Sequence, residues 1–488
     1  MFIANSNLIL LLDSFSKNDI KEFRKMIICN FFSRGRNYLS LFNQLLKFKK
    51  KGFSNLTPQK LYSKLYPGKN FSMQTLNNRF SELFKLAEEY LIHRTLKENI
   101  AEKNKLLLLA YHNNMLDKLF QRQFKKSRSF INTTPESDSK YFDIIFLSKM
   151  NISYAHEQVI SEKTFKYYFE QSEYMAAMFL KNMFEFGFEF KQQEQTNRKY
   201  EFNLVQEILD RLEVDDALIK NLLKSNSKIF KILVMEYFFY DIFKNPENEK
   251  NYFEARRIFE ELKATLDENY STELYKKMTN YCIMRQNQGI KKFQPELFKL
   301  YNEKLKLGIY LDNKKVFPST TFRNYVLIGI ILKKLKWTEN FINKYSNELP
   351  EENRDDEIKL SYSKLFFSDK NYVRSLQYLK GFKGLNYLHY CDSSILKLCT
   401  FYETKNFEEA FSGIDKFRHY LRNHNEIPKI HKEYCLNFLK IYQLLIKITT
   451  GVDKKELYVI ENLIKEIRPV SRESWLEEKI KELGKGNY

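Results

Sequence analysis

The sequence predicts an all-α protein in which an N-terminal basic helical bundle precedes an irregular array of helix pairs. Glycine and proline are scarce, with 13 and 9 copies in 488 residues, whereas β-rich chains need turn residues every ~8–12 positions. Apolar residues recur at helical spacing, and no stretch alternates between apolar and polar residues within clear turn boundaries. Hydrophobic residues make up 43% of the chain and charged residues 29%, which is typical of a globular protein.

Caps and prolines mark the ends of the first well-defined helices. In the segment LTPQKLYSKLYPGK, Thr57 is a predicted N-cap, Pro58 lies in the first turn, and Pro67 ends the helix together with Gly68. The next segment, FSMQTLNNRFSELFKLAEEYL, has an apolar stripe on one helical face. The stripe consists of Leu76, Phe80, Leu83, Ala87 and Leu91. A short helix, a Pro-Gly turn and a longer helix are therefore expected.

Positive charge is concentrated at the start of the chain. Residues 1–130 hold 24 Lys and Arg against 9 Asp and Glu, so they carry +15 of the formal net charge of +20. We interpret residues 1–130 as a basic helical module suited to nucleic acid or to an acidic protein. A solvated basic surface that binds neither is the alternative.

The helix pair of this module resembles the helix-turn-helix of winged-helix domains. The resemblance implies that the second helix would read base edges in a major groove through Gln74, Asn77, Asn78 and Arg79. A lysine-rich segment before the pair would contact phosphates, through Lys47, Lys49, Lys50 and Lys51. The turn is longer than usual and no β-wing follows, so an ordinary helical bundle with a basic surface remains the alternative.

The rest of the chain divides into two further regions. The segment RSFINTTPESDSKY at 128–141 is polar, lacks periodicity and is the expected linker. Residues 141–230 form an aromatic-rich helical middle section, whose rings are expected to be core. Residues 231–488 are expected to contain helical repeats followed by C-terminal capping helices.

A short motif repeats in this last region. DKNYVRSLQYL and TKNFEEAFSGI start 35 residues apart, and each has a Lys-Asn-aromatic triplet. Trp337, Tyr372 and Phe407 keep the same 35-residue spacing. Three residues after each of these aromatics comes a small or polar residue, namely Asn340, Ser375 and Ala410. The spacing predicts that the three aromatics are buried in equivalent places.

Residues 240–420 resemble a divergent array of tetratricopeptide (TPR) repeats, whose units are helix pairs of about 34 residues. The early Trp-Leu-Gly of the consensus is absent, and Ile328 and Leu398 stand where a small residue is usual. The resemblance implies a right-handed solenoid whose concave face binds a protein or peptide. On that face it places Phe322, Tyr325, Leu360, Lys364, Phe367 and Tyr402. The alternative is that these residues pack against further helices.

No motif predicts a reaction, a cofactor or a metal. His419, His424, His431 and Cys435 lie close in sequence, but their spacing fits no zinc motif. No glycine-rich phosphate loop is present. We therefore expect a non-enzymatic scaffold or adaptor that binds a protein or peptide through a helical-repeat groove. The alternative is a nucleic-acid-binding regulator that uses the basic N-terminal module.

The cysteines and the apolar segments predict a cytoplasmic protein. The five cysteines are scattered and form no CxxC pair, as expected for reduced thiols. The start of the chain lacks the basic and apolar regions of a signal peptide. The apolar run YVLIGIIL at 325–332 is too short to span a bilayer. No membrane insertion is expected.

Overall fold

The computed structural model describes residues 6–33, 35–49, 56–156, 162–194, 203–312, 315–382, 384, 386–451, 457–467 and 469–485. These residues form 25 α-helices and no strand. The one isolated β-bridge found among them joins Glu136 to Leu266. The prediction of an all-α fold is confirmed. None of the described helices is both long enough and apolar enough to cross a membrane.

The chain forms two compact units whose sequences interleave. The first contains Met1–Gly187, Tyr200–Tyr237 and Ala264–Asp267, and the second contains Phe188–Lys199, Phe238–Lys263 and Glu268–Tyr488. The division into regions 1–130, 141–230 and 231–488 stays a prediction.

The helices of the first unit are α1 (Asn7–Ser14), α2 (Lys17–Ile28), α3 (Asn30–Ser33), α4 (Leu39–Lys49), α5 (Pro58–Leu65), α6 (Met73–Glu98), α7 (Ile100–Asn113), α8 (Asp117–Thr133), α9 (Asp138–His156), α11 (Leu204–Arg211) and α12 (Asp216–Lys224). Residues of both units occur in α10 (Glu162–Glu194) and α13 (Lys228–Lys244). The second unit contains α14 (Glu249–Leu262), α15 (Glu268–Asn287), α16 (Gln294–Leu307), α17 (Ser319–Ile331), α18 (Leu335–Tyr345), α19 (Glu351–Ser368), α20 (Tyr372–Tyr378), α21 (Tyr387–Glu403), α22 (Phe407–Asn423), α23 (Lys429–Thr449), α24 (Leu457–Glu466) and α25 (Glu473–Lys485).

Helix α6 is the centre of the packing at the start of the first unit. It packs against α1, α2 and α5, and its predicted apolar stripe is buried except for half-buried Leu91. The caps follow the sequence: the Thr57 hydroxyl accepts a hydrogen bond from the Lys60 amide at 3.3 Å. Likewise, the Ser72 hydroxyl accepts from the Thr75 amide at 3.2 Å. These caps satisfy amides that the first helical turn leaves free.

Three helix pairs of the second unit share one connecting turn. The pairs are α17–α18, α19–α20 and α21–α22, and the turn residues Lys333, Lys370 and Lys405 have φ values of 53°, 60° and 59°. In each turn the next amide donates to a carbonyl five residues earlier, at 2.8, 2.8 and 2.9 Å. A helix that ends in this way, with one residue in the left-handed conformation and this hydrogen bond, has a Schellman motif at its C-terminus. The chain therefore contains a structural repeat of helix pairs.

The turn explains the Lys-Asn-aromatic triplet. In the second and third pairs, lysine adopts the left-handed conformation and Asn371 or Asn406 caps the next helix through its side chain. The aromatic residue is the first residue of that helix. In the first pair, Lys334 and Leu335 occupy the corresponding positions. The turn lysines are 37 and 35 residues apart. The structural repeat is therefore 37 residues long in the first interval, and the 35 residues predicted from the spacing of the aromatics is wrong there.

Small residues lie where the two helices of a pair cross. The fourth residue of each second helix is Thr338, Ser375 or Ala410, and all three are fully buried. A Cβ atom at Gly329 would lie 2.2 Å from the Thr338 Oγ1 atom, so the α17–α18 crossing requires a glycine. Asn340, which the sequence aligned with Ser375, is exposed. The predicted alignment is wrong because it paired Trp337 with Tyr372, whereas the first residue of α18 is Leu335. Thr338 is therefore the residue equivalent to Ser375.

The three aligned aromatics are each half-buried rather than fully buried. The Trp337 ring stacks on Phe341 with 5.3 Å between ring centroids, and its Nε1–H donates to Asn302 at 3.0 Å. The three aromatics are therefore only partly buried, because one face of each second helix remains open to solvent.

Candidate binding groove

The aromatic residues assigned to the start of the concave face are buried. Phe322 and Tyr325 on α17 are fully buried. Phe322 packs on Phe341 at 4.8 Å between ring centroids, and Tyr325 stacks on Tyr301 of α16 at 3.9 Å. Both aromatics are therefore packing residues between helices, and neither lines an open surface.

Lys364 and Leu360 on α19 are also buried. The Lys364 ammonium forms an ion pair with Asp392 of α21 at 2.7 Å. Burial lowers the pKa of Lys364, while the Asp392 carboxylate acts in the opposite direction. Because Asp392 already neutralises it, Lys364 connects two helices and is not a free cation in a groove.

Phe367 and Tyr402 are half-buried at the ends of α19 and α21. The Arg472 guanidinium lies 5.9 Å from the centre of the Phe367 ring. The Tyr402 hydroxyl is hydrogen-bonded to the Thr449 hydroxyl at 2.8 Å, and its ring meets the edge of Trp475 at 5.5 Å. C-terminal residues therefore cover part of both rings.

A buried ionic ladder joins the first helices of the three repeats. Arg323 of α17 donates two hydrogen bonds to Glu357 of α19, at 3.1 and 2.7 Å. His389 of α21 contacts the same carboxylate at 2.7 Å through Nε2, and its Nδ1 lies 3.0 Å from the Asn386 amide. Burial opposes the charge of Glu357, but hydrogen bonds from His389 and Arg323 outweigh it and lower its pKa.

An open groove lies elsewhere in the second unit, between α15, α16 and α17. Its cavity has a volume of about 700 Å³. Most of its side chains are polar, and two aromatic rings and several aliphatic groups complete the wall. The lining residues are Asn269, Thr272, Glu273, Lys276, Thr279, Asn280, Ile283, Tyr301, Lys304, Ile309, Tyr310, Leu311, Asp312, Pro318, Thr321 and Asn324.

Lys304 is the unusual residue of this groove. Its side chain is buried, with 8% of the residue exposed, yet no hydrogen bond or ion pair joins its ammonium to any residue that the structure describes. Burial lowers the pKa of Lys304 to about 8, and the nearby charge of Lys276 adds to this effect. Lys276 itself is paired with Glu273 at 2.6 Å.

The position of Lys304 on α16 distinguishes it in the sequence from an ordinary surface lysine. Leu297, Leu300 and Tyr301 form the buried stripe of α16, and Lys304 follows at the next position of that stripe. A lysine at a core position of an amphipathic helix indicates either a buried ion pair or a binding residue. Deciding between them requires the structure.

The predicted base-reading residues of the first unit lie mostly at the surface. Gln74, Asn77 and Asn78 are exposed on the first turns of α6. Arg79 is half-buried and donates to the Tyr66 hydroxyl at 3.3 Å. Hydrogen bonding to Tyr66 raises the pKa of Arg79, and its guanidinium is therefore held within the bundle.

The predicted phosphate contacts fall in different environments. Lys47 is exposed beside an open depression of about 540 Å³. The Lys49 ammonium donates to the carbonyls of Asp13 at 3.0 Å and Phe15 at 2.9 Å, and also to that of Leu12. It caps the end of α1, so its donors are occupied. Lys50 and Lys51 lie outside the described residues.

Metal binding and similarity to known proteins give no further assignment. Within the ranges that the structure describes, no three His, Cys, Asp or Glu side chains converge as a metal site would require. Comparisons with protein-family models, with curated proteins and with solved structures found no match. The helix-pair repeat therefore rests on the turns and crossings of this chain alone.

Proposed function

We propose that this protein is a non-enzymatic scaffold or adaptor that binds a protein or peptide segment in the groove between α15, α16 and α17. The observation that carries the proposal is the open cavity of about 700 Å³ between successive helices of one unit. Cavities of roughly 300–1,000 Å³ hold ligands of small-molecule size, so this groove accommodates a few residues of an extended chain.

The chemistry of the wall supports a peptide ligand. The side-chain amides of Asn280 and Asn324 form no hydrogen bond with the described residues, so they can bond to a peptide backbone. Ile283, which is half-buried in the wall, offers apolar contact beside them. The repeated helix pairs that follow are consistent with a TPR-like array, in which such grooves commonly bind peptides.

A cytoplasmic location belongs to the same proposal. All five cysteines are free thiols, and Cys282, Cys391, Cys399 and Cys435 are buried. Unpaired thiols of this kind suit a reducing compartment.

A variant that fills the groove tests the function. Thr321 is half-buried in the groove wall, so Thr321→Trp should obstruct the cavity, whereas Glu339→Trp places the same ring on the exposed side of α18 and serves as the control. Proteins recovered from the native cell with each variant would be compared with those recovered by the wild type. Loss of specific partners with Thr321→Trp alone supports the proposal, and equal recovery by both variants contradicts it.

A second candidate function is nucleic-acid binding by the first unit. Gln74, Asn78 and Lys85 are exposed along one stripe of α6, and Lys60 and Lys64 are exposed on α5. Amides of this kind bond to adenine edges, and lysines bind phosphates.

The salt dependence of binding to duplex DNA tests this candidate. We expect the affinity of the full chain to fall steeply between 50 and 200 mM salt, because each phosphate contact releases a counterion. Lys64→Glu should weaken binding to all sequences, whereas Asn78→Ala should affect preferred sites. Absence of binding at 50 mM salt would exclude the candidate.

A further inference from the structure

We propose that Lys304 binds the side-chain carboxylate of an aspartate or glutamate in the protein segment that the groove receives. The inference rests on the proposed function, since it specifies the chemistry of the same site. It makes an acidic residue the anchor of the bound segment.

Lys304 differs from the other buried cations that the structure describes. Lys181 pairs with Asp138 and Glu185, Arg285 with Glu247 and Glu249, and Lys479 with Glu403 and Glu482. Arg256 and Lys364 have carboxylate partners as well. Lys277 lies over the rings of Phe188 and Phe239. Across the described part of the chain, Lys304 is the buried lysine without such a partner, although it lines an open cavity.

The lack of a partner for Lys304 has an energetic consequence. Burial of the Lys304 side chain removes much of the hydration of its ammonium, and no ion pair replaces what is lost, which is a costly arrangement. An anion that enters the groove would supply the missing partner. The arrangement is therefore unfavourable in the free protein and favourable in a complex, as expected for a binding residue.

The balance of charge favours a single carboxylate over a phosphate. Lys276 is already paired with Glu273, and Asp312 adds a second negative charge to the wall. A phosphate dianion would meet one unpaired cation and these two carboxylates. A monoanionic carboxylate matches the one positive charge that Lys304 provides.

The protonation state of Lys304 can be followed separately from that of its neighbours, and it can therefore report the binding of an anion in the groove. The titratable groups that line the groove with it are Glu273 and Lys276 of α15, Tyr301 of α16, and Tyr310 and Asp312 of the following segment. Burial raises the pKa of Tyr301, and burial raises that of Tyr310 to about 12. Lys304, with a pKa of about 8, therefore changes charge in a range where these phenols stay neutral.

The experiment measures the pKa of Lys304 in the full chain. Lysines would be ¹³C-dimethylated and followed by NMR during a pH titration, and the resonance absent from Lys304→Met would be assigned to Lys304. Lys306→Met removes an exposed lysine of the same helix and is the control. The probes are N-acetyl-glutamate N-methylamide, the neutral N-acetyl-glutamine N-methylamide, N-acetyl-alanine for a terminal carboxylate, and inorganic phosphate.

The expected result is that the glutamate probe raises the pKa of Lys304 toward its ordinary value while the glutamine probe leaves it unchanged. By linkage, the affinity for the glutamate probe should fall about tenfold between pH 7 and pH 9, because Lys304 loses its proton in that range. No effect of the glutamate probe would overturn the proposal. A response to N-acetyl-alanine or phosphate alone would overturn the assignment to an acidic side chain.

A separate comparison distinguishes this inference from the proposed function. If Thr321→Trp loses its cellular partners and Lys304→Met keeps them all, the groove is a binding site but the carboxylate contact is refuted. If Thr321→Trp keeps every partner, the proposed function itself fails. If both variants lose the same partners, both statements are supported.

Discussion

Replacing Lys304 with methionine should stabilise the protein, although it removes a residue that we assign to binding. Burial lowers the pKa of Lys304 from 10.5 to about 8. A tenfold change in a proton-binding equilibrium corresponds to about 1.4 kcal/mol, so the buried charge costs the folded state about 3 kcal/mol near pH 7. Methionine has a similar length and no charge. The free energy of unfolding of Lys304→Met should therefore exceed that of the wild type by about 3 kcal/mol.

The pH dependence of this difference has a definite sign. The pKa of Lys304 is lower in the folded chain than in the unfolded chain, so the unfolded chain binds more protons between about pH 8 and pH 10.5. The contribution of Lys304 to the free energy of unfolding of the wild type therefore increases as the pH rises from about 8 to 10.5. Lys304→Met has no titrating group at this position, so it shows no such increase. The advantage of Lys304→Met should decrease to about 1.5 kcal/mol at pH 9.5.

Urea unfolding of the wild type, Lys304→Met and the control Lys306→Met, at pH 7 and pH 9.5, measures these differences. The second unit should be followed by a probe of its own, such as Trp337 fluorescence with Trp475 replaced by phenylalanine in every variant, because two compact units need not unfold together. Lys306→Met should differ from the wild type by less than about 0.5 kcal/mol, since Lys306 is exposed. Equal stability of Lys304→Met and the wild type at pH 7 would show that burying the Lys304 charge costs the folded state nothing.

Three further predictions concern the repeats. Gly329→Ala should destabilise the second unit by about 1–3 kcal/mol because its Cβ would collide with the Thr338 hydroxyl, and adding Thr338→Ala should recover part of that loss in a double-mutant cycle. Glu357→Gln should cost about 3–5 kcal/mol because it leaves the Arg323 charge without its carboxylate. Lys405→Gly should stabilise the chain by up to about 1 kcal/mol because glycine adopts the left-handed turn without strain. Urea unfolding at pH 7 measures all three.

Each of these predictions has an outcome that contradicts it. Additive effects of Gly329→Ala and Thr338→Ala would show that the two residues do not collide. A neutral Glu357→Gln would show that the Arg323 charge does not depend on this carboxylate. Destabilisation by Lys405→Gly would show that its side chain contributes more than the turn costs.

The repeated triplet in the sequence marks two of the connecting turns, but the spacing of the aromatics did not predict the register of the first repeat. The Lys-Asn-aromatic triplet specifies a turn locally, since asparagine caps the next helix and the aromatic residue begins it. In the first repeat, Lys334 and Leu335 occupy these positions without that pattern. The 35-residue spacing aligned Trp337 with Tyr372 and Phe407. The start of α18 at Leu335 and the buried Thr338 instead place Leu335 at the position equivalent to Tyr372 and Phe407.

The groove between α15, α16 and α17 could not be located from the sequence because the exposure of a residue depends on which helices pack together. Phe322 and Tyr325 have the spacing of a concave face, but Tyr301 and Phe341 from neighbouring helices cover them. Lys304 has the spacing of a core residue, and only the structure shows that it lines an open cavity. Local pattern predicts the helices, whereas the site arises from contacts between residues distant in sequence.

We propose that the groove between α15, α16 and α17 holds a protein segment anchored at Lys304. The most direct measurement is photo-crosslinking in the native cell with p-benzoylphenylalanine at Asn324, which is exposed in the groove, and at Glu339 outside it. We predict a partner crosslinked at position 324, absent at position 339, and diminished when Lys304→Met is added. The same products at both positions, or an undiminished product at position 324 in the Lys304→Met background, would contradict the claim.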